Sequence, residues 1–327
     1  MRTPASRVIA KSSAFRAMLT GLVDYAGLFP PASLSLDEAI RNFARYRQES
    51  DNWMLSRFIC PVSLLPTLSE YDNLFSEAPP FRFSVLGTGG LDAPSFLRTF
   101  ETNLGQIEAF RNRHTGTVEV DMMEVRLPSH LLEYGAGRIT AFLEAVCALH
   151  ARTSIPSMDI FFEVPLDHPS LPLVFESVAN CPQCNATEFG VKFRCGGVEA
   201  AAFPSSEHLA HAIAASRDAN VRFKATAGLH HPIRLFHPSV QTKMFGFLNV
   251  FGAAVLAATE ALDAVTIRKI LVDEEPANFH FDADHFAWND RAATLHQIRQ
   301  ARSNFGNSFG SCSFDEPRDD LLALGLL

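Results

Sequence analysis

A single (β/α)8 TIM barrel, an α/β fold, is what this sequence predicts, and three observations predict it. Strand-like runs alternate with helix-like runs along all 327 residues, which is the mark of a parallel sheet. The runs number eight, and eight such units close into a barrel. Charged residues also gather near the C-terminal ends of several runs, where a barrel carries its chemistry. An open doubly wound sheet is the structural alternative.

The strand runs, in order, are residues 19–25 (LTGLVDY), 54–60 (MLSRFIC), 81–86 (FRFSVL), 118–126 (VEVDMMEVR), 158–164 (MDIFFEV), 188–194 (EFGVKFR), 220–226 (NVRFKAT) and 308–314 (SFGSCSF). Pro30 and Pro31 break the first, Pro165 the fifth, Gly196 and Gly197 the sixth and Gly228 the seventh. Helices fill the gaps. Ser35 caps one to about 48, with Glu38 three residues on as a capping box. A weak helix begins near 67, and a partly polar one spans 99–113. Residues 129–151 carry Leu131, Leu132, Ile139, Phe142, Leu143 and Val146 at helical spacing. A further helix runs to about 179. Ser205 caps one to about 219, and a short helix covers 318–326. Residues 227–307 exceed the simple repeat. They hold apolar 247–262, a short helix at 265–272 and the stretch EEPANFHFDADHF. With no Gly/Ser linker, the expectation is one domain, 1–327, with 227–307 as an insertion or lid.

The formal net charge is −8 without a dense Lys/Arg run, which argues against a nucleic-acid partner. The longest apolar stretch, 245–258, contains Asn249 and is too short for a bilayer. The opening MRTPASRVIAKSSAF lacks an apolar run of signal-peptide length. The expectation is therefore a cytoplasmic protein with six reduced thiols: Cys60, Cys147, Cys181, Cys184, Cys195 and Cys312.

Alternation along a strand puts Lys192 and Arg194 on one face and Val191 and Phe193 on the other. The next strand repeats this, with Arg222, Lys224 and Thr226 opposite Val221 and Phe223. The apolar pairs should face the helices, so the cations point into the barrel mouth. Two adjacent lysines repel, and repulsion with burial lowers a lysine pKa. A neutral amine then becomes available for a Schiff base. Carboxylates stand nearby. Glu163 ends the fifth strand and Asp24 the first. The fourth offers Glu124 and Arg126, or Glu119 and Asp121 in the other register. Glu124 is favoured because Met123, Val125 and Leu127 form the better helix-facing set. Arg57 lies in the second strand. A charge-paired interior without catalysis is the bland reading of each residue taken singly.

The sixth-strand VKFRCGG, seventh-strand FKATAG and eighth-strand FGSCS resemble the strand ends of Schiff-base (β/α)8 aldolases, deoxyribose-phosphate aldolase in particular. The resemblance implies that Lys192 is the imine lysine, Lys224 its partner and Glu124 the acid that assists proton transfer. It also implies that Gly228, Ser311 and Ser313 line an anion site. Arg194, His230-His231-Pro232 and the long 227–307 stretch stand apart from that family's pattern.

The expected function is thus aldolase-like lyase chemistry on a small anionic carbonyl compound, without a cofactor. Catalytic candidates are Lys192, Lys224, Glu124, Glu163, His230 and His231. Substrate-binding candidates are Arg194, Arg57, Arg126, Asp24, Gly228, Asn249, Ser311 and Ser313. One rival is an enzyme using a divalent metal such as zinc or manganese. His230 or His231 would bind it with His237, His280 or His285 and a strand-end carboxylate. The other is a non-catalytic binding barrel or assembly subunit, a homo-oligomer included, with 245–262 as its interface. Cys181-Pro-Gln-Cys184 reads as two thiols at a helix end, with half a zinc site or a redox pair as alternatives. Gly87-Thr88-Gly89-Gly90 reads as a structural turn.

Overall fold

The computed structural model describes residues 12–75, 78–182 and 187–327. Its centre is a closed barrel of β1 (Val23–Tyr25), β2 (Leu55–Pro61), β3 (Phe81–Leu86), β4 (Val118–Arg126), β5 (Asp159–Glu163), β6 (Phe189–Arg194), β7 (Arg222–Thr226) and β13 (Gly306–Ser311). The order around it is β1-β13-β7-β6-β5-β4-β3-β2, and neighbours are parallel throughout. The chain therefore forms a (β/α)8 barrel.

The flanking helices are α1 (Ser13–Leu19), α2 (Leu36–Tyr46), α3 (Ala93–Arg113), α4 (Ala136–His150), α5 (Leu171–Ala179), α6 (Ser206–Asp218), α7 (Phe247–Glu260), α8 (Ala264–Val272), α9 (Leu295–Asn304) and α10 (Asp315–Ala323). Local chemistry sets their starts. The Ser35 hydroxyl accepts from the Glu38 amide at 3.2 Å, and Ser205 from the His208 amide at 3.1 Å. Asp92 and Ser95 form a capping box, which starts α3 six residues before the periodic pattern does.

Several sequence expectations need correction. Residues 19–22 are not strand, because Ser12 caps α1 and the helix runs through Leu19. The expected helix at 129–151 is a 3-10 turn, Ser129–Glu133, followed by α4, which starts after Gly135. After β2 come only 3-10 segments, Val62–Leu64 and Thr67–Leu74, so that unit lacks an α-helix.

The stretch after β7 divides in two. A hairpin of β8 (Leu235–His237) and β9 (Thr242–Met244) leads into α7. Residues 247–257 of α7 are all buried, and Phe251 stacks on Phe223 with centroids 5.9 Å apart. This helix is barrel core and not an exposed interface. The His-rich stretch forms an antiparallel sheet of β10 (Phe279–Phe281), β11 (His285–Trp288) and β12 (Arg291–Thr294). Phe281 meets Phe15 of α1 edge-on at 5.2 Å. Since α1 precedes β1, this sheet sits towards the N-terminal end of the barrel, away from the mouth.

Outward strand residues form the apolar layer. Phe193 and Phe223 stack at 4.7 Å, and each buried ring contributes about 1.5–3 kcal/mol. The inward residues are of another kind, and Asp24, Arg57, Ser84, Glu124, Lys192, Lys224 and Ser308 are all buried.

Among the cysteines, Cys60, Cys181, Cys195 and Cys312 are free. Cys147 is disulfide-bonded, against the expectation of reduced thiols, because pairing depends on distance in space and not on spacing in sequence. Cys184 lies outside the described residues. No helix among the described residues is long and apolar enough to cross a membrane.

Candidate functional site

A cavity of about 680 Å³ opens at the C-terminal ends of the strands. Lys192, Glu124 and Glu163 form its charged floor. Arg126, Arg194 and His230 stand on its wall, and Phe29, Pro30, Pro31, Ile59, Leu86, Leu91 and Val198 supply apolar surface. This is the end at which a (β/α)8 barrel places its chemistry.

A β-bulge sets the floor. In the β3–β4 pairing Phe83 faces Val120 and Ser84 faces Met122, so Asp121 is the extra residue. Val118 and Val120 pack outward before it, and Met123 and Val125 after it. Both registers weighed from the sequence therefore exist, one on each side of the bulge. Asp121 reaches Arg57 below, and Glu124 reaches the two lysines above.

Below the cavity runs a ladder of alternating charge. Arg57 makes a two-point pair with Asp121, at 2.7 and 2.9 Å, and its amide donates to Asp24 Oδ1 at 3.0 Å. Lys224 donates to Asp24, and Ser308 donates to the same carboxylate at 2.7 Å. Lys224 also lies 3.0 Å from Glu124 Oε1, which accepts from Ser84 at 2.6 Å. Lys192 lies 3.0 Å from Glu124 Oε2 and 3.1 Å from Glu163 Oε2. At the top Glu163 Oε1 is 3.5 Å from Arg126 and 3.8 Å from Arg194.

Glu124 thus separates the two lysines. Its burial would raise its pKa, but Lys224 and Lys192 outweigh this and hold it near 2. Burial alone would lower the Lys192 pKa, but the Glu124 and Glu163 charges leave it raised. The expected lowering by lysine–lysine repulsion therefore fails for Lys192, because a carboxylate from β4 stands between the amines. Glu124 Oε2 is buried and accepts no hydrogen bond of good geometry, so it meets Lys192 as an ion pair only.

The remaining candidates divide. Gly228 lines the cavity, with φ +68°, and an added Cβ would come within 2.9 Å of the Gly196 Cα. Lys224, Asp24 and Arg57 lie beneath the cavity without lining it. Asn249 is a clamp within the fold: its side-chain oxygen accepts from the Arg234 amide, and its nitrogen donates to the carbonyls of Ile270 and Asp273. The Ser311 hydroxyl donates to the Ser313 carbonyl, and the Ser313 hydroxyl caps the Glu316 amide. Neither serine lines the cavity, and α10 begins with Asp315 and Glu316, so its N-terminus is already charge-matched.

His230 and His231 diverge. His231 pairs with Asp320 at 2.5 Å and does not line the cavity. His230 lies 2.8 Å from Glu316 and 3.9 Å from Cys312. Its burial opposes protonation, yet the Cys312 sulfur and Glu316 raise its pKa to about 9. Among the described residues, no three His, Cys, Asp or Glu side chains converge so as to hold a metal ion. His280 and His285 lie on β10 and β11, towards the other end of the barrel.

Sequence reasoning missed Cys312 and the Gly87–Gly90 turn, both on the cavity wall. The turn had a signal. At Gly90 an added Cβ would come within 2.4 Å of the Phe96 amide nitrogen, so only glycine fits there. No family model matches this chain, and no curated protein matches it in sequence.

Proposed function

We propose that this barrel is a lyase-type enzyme that binds a small anionic carbonyl compound in the mouth and forms a Schiff base at Lys192. The carrying observation is that Lys192, which lies between two carboxylates, is the one of the two barrel lysines that lines the cavity. Arg194 and Arg126, with side chains 46 % and 78 % exposed, stand where they would meet the anionic end of a substrate. The apolar wall would exclude water from the reacting carbon.

Lys192 rests as an ammonium. Its proton leaves to solvent through the cavity, and the free amine attacks the carbonyl carbon. Glu163 carries a proton from the new C–N centre to the oxyanion, giving the carbinolamine. A second proton, drawn from solvent through the cavity, lets the hydroxyl depart as water and leaves an iminium. The iminium then accepts the electron pair of the adjacent C–C bond as Glu163 removes the β-hydroxyl proton. An aldehyde is released and an enamine remains. Borohydride reduction with a panel of aldehydes and keto acids tests this. The expected result is a reduced adduct on Lys192, absent in Lys192→Ala. A panel with no adduct on Lys192 would refute it.

The raised pKa of Lys192 favours a second, non-covalent reading. There the ammonium stabilises an enolate oxygen while Glu163 moves the proton. That reading predicts turnover without a trappable adduct.

A further inference from the structure

At the other end of the barrel lies a second recess of about 480 Å³. Its lining includes Ser56 and Arg57 early in β2, Arg82 early in β3, Arg16 from α1, and Arg299 and Arg302 from α9. These are the N-terminal ends of the strands, so the recess and the mouth are on opposite faces.

Five of its twelve lining residues are arginines, and none of the twelve is acidic. That runs against a chain whose net charge is −8. Internal compensation falls on one side of the recess. Arg57 and Arg82 share the Asp121 carboxylate, Arg57 also lies 3.7 Å from Asp24, and Glu119 stands 3.6 Å from Arg82. Arg16 lies over the Trp53 ring at 4.6 Å. Arg16, Arg299 and Arg302 have no carboxylate partner among the described residues. Arg302 is buried and spends its donors on neutral carbonyls: Met18 at 2.9 Å, Thr20 at 3.4 Å, Gly306 and Asn307. Burial pulls its pKa down to about 9, which reflects a cation without a close counter-charge. Arg82 Nε is buried and has no hydrogen-bond partner.

Buried or crowded guanidinium groups are costly unless an anion meets them. Arginine forks match phosphate oxygens in geometry. We infer that this recess binds a multiply charged oxyanion of the phosphate type, independently of the mouth. Arg16 and Arg299, without a carboxylate partner among the described residues, supply the forks. Arg302 and Arg82 supply field from below.

Pyrophosphate and inorganic phosphate, titrated against sodium chloride of matched ionic strength, test this by calorimetry and by thermal midpoint. The inference expects saturable pyrophosphate binding by the wild-type protein. Affinity should fall at least tenfold in the Arg16→Gln/Arg299→Gln double variant, whose exposed side chains leave the core intact. Arg299→Glu alone, at a side chain without a carboxylate partner among the described residues, should lower affinity as well. The Arg126→Gln/Arg194→Gln variant, altered only at the mouth, should bind within twofold of wild type. Binding lost in the mouth variant but kept in the recess variants would overturn the inference. So would a response no larger than that to chloride.

Discussion

Lys192 and Lys224 face each other in register across β6 and β7, yet they live in different halves of the barrel interior. Lys224 is fully buried, held by Asp24 and Glu124 beside Ser308, and Ala26, Thr226 and Gly310, each two residues further along the chain from Asp24, Lys224 and Ser308, line the cavity above that layer. Lys192 has two carboxylates as well, but its side chain borders the cavity. The same residue type in the same strand pattern therefore serves two ends: below, charges pair to fill the interior; above, they pair around an open volume.

The largest effect should come from breaking the lower half. Lys224→Met leaves Asp24 and Glu124 buried without their ammonium, and a loss of about 3–5 kcal/mol is expected in urea unfolding. Lys192→Met should cost clearly less, because water can reach Glu163 through the cavity. Equal losses would erase the distinction between the halves.

That distinction was only half legible in the sequence. Alternation in VKFR and VRFKAT assigned the inward cations, and β3 and β4 begin and end where their runs do. Glu124 was favoured on the packing of Met123 and Val125, and it does lie between the lysines. What alternation could not give is the bulge at Asp121, which requires the partner strand, or the position of Glu124 between two amines from β6 and β7. Arg57 and Asn249 were charged or polar residues in promising places whose partners, Asp121 and the Ile270 and Asp273 carbonyls, are distant in sequence. The EEPANFHFDADHF stretch had strand-forming residues, but contacts distant in sequence, Phe15 with Phe281 and Ser12 with the Asp282 carbonyl, place it away from the mouth.

Two pH effects come next. Glu124, ordinarily near 4.5, is held near 2 in the fold, so its stabilisation is complete above 4.5 and is lost as pH falls towards 2. His230 shifts the other way, from 6.5 to about 9, so its contribution is complete below 6.5 and fades as pH rises through 9. Urea unfolding of wild type should therefore show a decline between pH 6.5 and 9 of about 1–3 kcal/mol that His230→Gln lacks. An identical decline in both proteins would remove His230 from the account.

The smallest effect is at the rim. Arg194→Gln should weaken binding of the anionic substrate about tenfold, raising KM with little change in kcat and little change in stability, since the side chain is 46 % exposed. A fall in kcat alone would move Arg194 from binding to chemistry.

Reductive methylation with formaldehyde and cyanoborohydride, mapped by peptide mass, compares the two lysines directly. Formaldehyde is small enough to enter the cavity, and labelling proceeds through an imine. Lys192 should be methylated in the folded protein, with a yield that rises from pH 7 to 10 as the ammonium gives up its proton, while Lys224 stays unmodified until the protein is denatured. Labelling of Lys224 in the folded protein, or a silent Lys192 across that pH range, would contradict the account.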